Sequence, residues 1–254
     1  MLIKAKTLKD YKLDAKDDEV GKVKEFYFDD KHWAVRYLVA DTGNWLTGRR
    51  VLISPYALIS VNQEAENIGI NLNTKQIEES PALYSEKPVS QQFERAYYDY
   101  YRLPPYWNGI YMWGYSPYLN RDSEELEKIK QQEKSWDPNL RSTNAMSGLH
   151  IQASDGEIGH VADFILDDET WAIRYLIIDT TNWFGGKKVL ISPKWIDHIS
   201  WNDSKVFINL SMADIKNSPE YSEEALLTRD YETQLHQHYK RNVYWVEKLE
   251  DRLH

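Results

Sequence analysis

Residues 33–55 read WAVRYLVADTGNWLTGRRVLISP, and 138 positions further on residues 171–193 read WAIRYLIIDTTNWFGGKKVLISP. The register holds without a gap in both directions. Upstream, Asp17, Glu19, Gly21, Val23, Phe26, Asp29 and Asp30 match Asp155, Glu157, Gly159, Val161, Phe164, Asp167 and Asp168. Downstream, Ile70-Asn71-Leu72 matches Ile208-Asn209-Leu210, and Glu94, Tyr101, Tyr106 and Trp107 match Glu232, Tyr239, Tyr244 and Trp245. The unit therefore runs from about residue 8 to 107 and again from about 146 to 245, with 108–145 outside it. At about 100 residues each, the copies are domains rather than solenoid repeats.

Within one copy, Trp33–Asp41 carries apolar residues on both of its alternating faces, which predicts a well-buried strand. Gly21–Phe28 predicts a second strand, joined to it by the polar turn Asp29-Asp30-Lys31-His32. Arg50–Ile53, Ala57–Asn62 and Asn67–Leu72 complete a set of short strands with no long helix between them, the pattern of a small antiparallel barrel or sandwich. Asn73-Thr74-Lys75-Gln76 and Ser211-Met212-Ala213-Asp214 predict a capped helical turn in each copy. Each copy then ends in a longer helix. Its predicted stripe is Phe93, Tyr97, Tyr100 and Tyr101 in the first and Tyr231, Leu235, His238 and Tyr239 in the second, spaced to pack on the barrel or on a partner helix.

The strand–turn–strand around Gly21–Phe28 and Trp33–Asp41, followed by Val51-Leu52-Ile53-Ser54-Pro55, and their copies resemble the PRC-barrel family. That family includes the cytoplasmic domain of the photosynthetic reaction-centre H subunit and the C-terminal domain of the ribosome maturation factor RimM. The resemblance implies a mainly β chain with helical additions: two tandem small antiparallel barrels in pseudo-two-fold arrangement, tied by aromatic helices. It places a first barrel at 1–81, an aromatic helix plus insert at 82–145, a second barrel at 146–219 and a C-terminal aromatic helix at 220–254. It also implies a docking module rather than an enzyme.

The chemistry of the chain is mostly exclusions. Its 254 residues contain no Cys, so disulfides, thiolate catalysis and Cys-ligated metals are ruled out. A formal charge of −9 disfavours nucleic acid and anionic lipid as partners. No apolar run is long enough to span a bilayer and no signal peptide is visible at the N-terminus, so a cytoplasmic protein is expected. Arg36 and Asp41, five residues apart on one strand, face opposite sides and are expected to pair with neighbouring strands or turns. Asp29-Asp30 and Asp167-Asp168 fit hairpin turns better than calcium loops. His236 and His238 lie two apart on a helix and do not share a face, so no metal or cofactor is expected. Thr47-Gly48-Arg49-Arg50 and Gly185-Gly186-Lys187-Lys188 read as turns entering edge strands.

The candidate interaction residues are loop and insert aromatics with their apolar neighbours. They are Trp45 and Leu46 with their copies Trp183 and Phe184, and Tyr111, Trp113 and Tyr115 of the insert. The expected function is non-catalytic protein interaction or assembly, with a protein partner and a possible homodimer. The alternatives are a small-molecule sensor with an aromatic interdomain pocket and a ribonucleoprotein-associated factor similar to RimM.

Overall fold

The structure, a computed structural model, describes residues 1–43, 46, 49–81, 91–103, 140–181, 186–223 and 226–245, with backbone alone for 91–93, 95 and 96. The first repeat runs β1 (Leu2–Lys4), α1 (Ala5–Leu8), β2 (Lys12–Asp14), β3 (Glu19–Asp29), β4 (Ala34–Asp41) and β5 (Arg50–Ile53). A 3-10 turn at Pro55–Ala57 leads to β6 (Leu58–Asn62), β7 (Asn67–Ile70), α2 (Thr74–Glu78) and α3 (Gln91–Tyr101). The second repeat has β8 (Leu140–Ser142), α4 (Thr143–Met146), β9 (His150–Ala153), β10 (Gly156–Asp167), β11 (Ile173–Asp179) and β12 (Lys188–Ile191). After its own 3-10 turn come β13 (Ile196–Ser200), β14 (Lys205–Ile208), α5 (Met212–Lys216) and α6 (Arg229–His238).

The described chain is mainly β and forms two separate seven-stranded sheets. The first follows the path β5-β4-β3-β2-β7-β6, with β8 added beside β3, and the second follows β12-β11-β10-β9-β14-β13, with β1 added beside β10. Within each path one pair runs parallel, β2 with β7 and β9 with β14, beside antiparallel pairs such as β3 with β4 and β11 with β12.

The chain divides into two compact units, and their boundaries cut across the repeats. The first comprises Met1, Ile3–Ala145 and Leu166–Ile173, and the second comprises Leu2, Met146–Ile165 and Arg174–His254.

In the first unit β4 is buried along its length from Ala34 to Ala40, as two apolar faces require. The turn before it is set by Asp29, whose Oδ1 accepts the backbone N–H of Lys31 (2.9 Å) and His32 (3.2 Å). Trp33 then adopts φ 55°, and its N–H closes the turn on the Asp29 carbonyl at 2.7 Å. The equivalent turn repeats this, with Trp171 at φ 58° and its N–H 2.7 Å from the Asp167 carbonyl. Both turns belong to the first unit, where they pair reciprocally: Val35 N–H donates to the Trp171 carbonyl (2.9 Å) and Ile173 N–H to the Trp33 carbonyl (2.8 Å). β8 matches the first three-residue strand at the repeat offset, and it is built into the first unit. It pairs antiparallel with Tyr27–Asp29, its neighbour Thr143 accepts the Phe26 N–H at 3.2 Å, and Arg141 reaches Asp30 at 2.9 Å.

The second unit is anchored by its own capped turn and helix. Ser211 and Asp214 form a capping box at α5, as Asn73 and Gln76 do at α2 in the first unit. No helix among the described residues is long and apolar enough to cross a membrane.

Candidate functional site

Of the sequence-predicted interaction residues, only Leu46 is described. It is half-buried, and its carbonyl accepts the Arg49 N–H at 3.0 Å. Trp45, Trp183, Phe184, Tyr111, Trp113 and Tyr115 lie outside the described residues. The bases of the two hairpin loops are fixed in the same way. Thr42 Oγ1 donates to the Arg49 carbonyl (2.7 Å), and Thr180 Oγ1 to the Lys187 carbonyl (2.8 Å).

The basic residues after these loops have structural work. Arg49 donates to the Glu78 carbonyl at 2.8 Å and also to that of Ser80, and Lys187 donates to the Ser218 carbonyl. A cation over the exposed carbonyls of a helix end is favourable, and both copies use it. Arg36 pairs with Asp29 at 2.8 Å, across to the neighbouring strand rather than to Asp41. Burial alone would raise the Asp29 carboxyl. The hydrogen bond from His32 and the charge of Arg36 outweigh that and hold it well below the ordinary carboxylate range.

The main concentration of buried polar chemistry is under the terminal helix of each copy. Glu94 of α3 and Glu232 of α6 are buried, and each receives a tyrosine hydroxyl from the central strand. Tyr37 Oη donates to Glu94 at 2.9 Å, and Tyr175 Oη donates to Glu232 at 3.0 Å. The inward face of α6 and its C-cap is therefore Glu232, Leu235, His236 and Tyr239: of the predicted stripe Leu235 and Tyr239 face inward, while Glu232 and His236 replace Tyr231 and His238. His238 lies beside the stripe, where Nε2 donates to the Asp214 carbonyl at 2.7 Å; the equivalent Tyr100 hydroxyl donates to Gln76 at 3.0 Å. On α3 the inward residues are Glu94, Tyr97 and Tyr98, with Tyr101 half-buried and Tyr100 on the exposed side. The difference has one cause: a helix faces inward along i, i+3, i+4, i+7, and in both copies that series starts at a carboxylate.

In the second unit the site extends to His236. Its Nε2 lies 3.0 Å from Tyr175 Oη, and its Nδ1 lies 2.7 Å from the Asn242 carbonyl. A carbonyl only accepts, so Nδ1 carries a proton. Two proton placements then satisfy all three bonds. In one, Glu232 is ionised, Tyr175 donates to it, and the Nε2 of an imidazolium donates to the phenol. In the other, a protonated Glu232 donates to the phenol, which donates to a neutral Nε2. The two differ by shifts along the same hydrogen bonds and carry the same total charge.

Burial raises the Glu232 carboxyl, an effect that the donors Tyr175 and Arg229 only partly offset. Arg229 Nη1 reaches Glu232 Oε2 at 3.0 Å and Tyr244 Oη at 2.5 Å, and its guanidinium stacks over Trp245 at 4.5 Å. This arrangement locks a helix onto a sheet. Among the described residues, no group of three or more His, Asp or Glu is placed to hold a metal ion.

Sequence reasoning passed over Tyr175, Glu232, Glu94 and His236 as site residues. The available signal was a carboxylate kept at the same place in both copies inside an otherwise aromatic stripe.

Two β-rich units of one repeated pattern, each with a terminal helix held to its central strand by a buried Tyr–Glu bond, define a tandem small-barrel protein. The PRC-barrel domain family matches residues 13–76 and 144–211, about half of the chain, and the chain belongs to that family. Comparison with curated proteins finds no match.

Proposed function

We propose that the protein is a non-catalytic interaction or assembly module built from a duplicated PRC-barrel, acting on a protein partner in the cytoplasm. The observation that carries this reading is how the two copies use their buried polar groups. Asp29, Glu94 and Glu232 direct their hydrogen bonds to their own unit, to Arg36 and His32, to Tyr37, and to Tyr175 and Arg229. Such groups stiffen a platform, and recognition then falls to loops and sheet edges. The net charge of −9 favours a partner with basic surface over nucleic acid.

The test is retention from native lysate on the immobilised full-length protein, with and without RNase. The expected result is a stoichiometric, RNase-resistant protein. Its retention should drop in the Trp45→Ala/Trp183→Ala double variant if the hairpin loops carry the contact. A column that holds nothing, or ribosomal proteins that disappear with RNase, would overturn the reading.

A further inference from the structure

The two repeats act as internal controls for one another, and they differ at one sheet edge. β6 and β13 are equivalent, and each ends its sheet. β13 carries Asp197 and His198, paired at 2.7 Å and both about half exposed. Charges of this kind blunt an edge against strand addition. β6 reads Leu58-Ile59-Ser60-Val61-Asn62, with no charge, and Ile59, at the position of Asp197, is 64% exposed. Ile59 also sits where the β6–β7 register shifts, between the Leu58–Ile70 and Ser60–Gly69 pairs, so a bulge turns it outward.

Beside this edge, in the same unit, lies an open groove of about 520 Å³. Met1, Leu58, Ile59, Val61 and Trp171 supply its apolar lining, and Met1 is itself 59% exposed. The rim carries a net excess of one carboxylate: Asp168 is paired with the Met1 amino group, the exposed Glu169 also lines the groove, and no Lys or Arg does among the described residues. Glu64 and Glu66 stand exposed in the turn that ends the strand.

We propose that β6 and this groove dock an extended segment of a partner protein, alternating aliphatic with Lys or Arg residues, added to the sheet as a further strand. The backbone of β6 beyond Leu58 supplies the hydrogen bonds, Ile59 and the groove take the aliphatic side chains, and Glu169, Glu64 and Glu66 take the cations. A second copy of this chain is the poorer occupant, since it would bring the same carboxylates to the same rim. The proposal rests on the interaction-module reading and names the partner's chemistry.

The test uses the full-length protein and two synthetic peptides, one alternating Lys with Val and one alternating Glu with Val, titrated at fixed ionic strength. The Lys–Val peptide should bind with one-to-one stoichiometry and slow exchange of the amides in 59–62 that face away from β7, and the Glu–Val peptide should not bind. Ile59→Asp, which copies the second repeat, should weaken binding about tenfold or more through the lost apolar contact. Ile59→Thr should fall between. The sign is diagnostic, because Ile59→Asp adds a negative charge and non-specific attraction to a cationic peptide would strengthen. Equal or tighter binding by Ile59→Asp would overturn the proposal. So would wild-type self-association that Ile59→Asp abolishes, or protection in the free protein of those β6 amides that face away from β7. A lysate partner whose retention survives Ile59→Asp would refute this edge and leave the module reading standing. A wild-type protein that binds neither the Lys–Val peptide nor any lysate protein would refute both.

Discussion

Replacing Tyr175 by Phe removes one oxygen and changes little in shape, so its cost isolates the buried network of the second unit. The ring is fully buried, and its hydroxyl serves two partners, Glu232 at 3.0 Å and His236 Nε2 at 3.0 Å. Leaving a buried polar group unmet costs about 1–3 kcal/mol, more when it is charged. Glu232 keeps Arg229 on its other oxygen, and His236 keeps the Asn242 carbonyl, so neither is stripped completely. A loss of roughly 2–4 kcal/mol follows, a large share of the ~5–15 kcal/mol by which domains are stable. At a urea dependence near ~2 kcal/mol per molar, the midpoint for the second unit should fall by roughly 1–2 M. The control is Tyr100→Phe, whose partly exposed hydroxyl caps Gln76; it should cost no more than ~0.5 kcal/mol. The Tyr175→Phe/Glu232→Gln double variant should lose less than the sum of its singles, because the amide no longer strands a charge. A Tyr175→Phe midpoint within about 0.5 M of wild type, at unchanged denaturant dependence, would mean that the hydroxyl does not hold the helix down.

Other substitutions probe the remaining groups. Asp29 is held below its ordinary range, so its contribution is present above the unfolded value near ~3.9 and is lost as pH falls through the lower folded value. The stability gap between wild type and Asp29→Asn should therefore be widest near neutrality and shrink in acid, as read by thermal melts across pH. Glu232 has the opposite sign. Its folded value is raised, so its contribution is complete below the unfolded value near ~4.3 and lost as pH rises through the folded one. Wild type minus Glu232→Gln should accordingly decline from acid toward neutral pH in the same melts. At Gly159, φ is +87° and a Cβ would stand 2.5 Å from the Asp179 carbonyl oxygen; Gly159→Ala should cost more than ~1 kcal/mol by denaturant titration, and more than Gly148→Ala, where φ is +90° but no atom stands within 4 Å of the added Cβ. Ser211→Ala removes one arm of the α5 capping box and should cost about 1 kcal/mol.

The long strands were legible in the sequence because burial on both faces leaves an apolar run, as in β4, and because the repeat prints each strand twice. The three-residue strands β1, β2 and β8 were not. Lys12-Leu13-Asp14 is too short and too mixed to show a period, and the place of β8 is set by Tyr27–Asp29, more than a hundred residues earlier in the chain. The terminal helices were legible as helices but not in phase. An aromatic stripe scored by hydrophobicity skips Glu94 and Glu232, the residues on which the inward face is centred, because their burial depends on a tyrosine donor from another element.

The cores under those helices were less legible still, since the two copies fill equivalent buried positions with different side chains. Ala57 and Tyr97 in the first unit stand where Trp195 and Leu235 stand in the second, and all four are buried. Tyr98 is exchanged for His236, which brings the ring nitrogens that extend the second network. What both copies keep unchanged, Tyr37 with Glu94 and Tyr175 with Glu232, is a bond whose two halves cannot be altered one at a time without stranding a buried polar group.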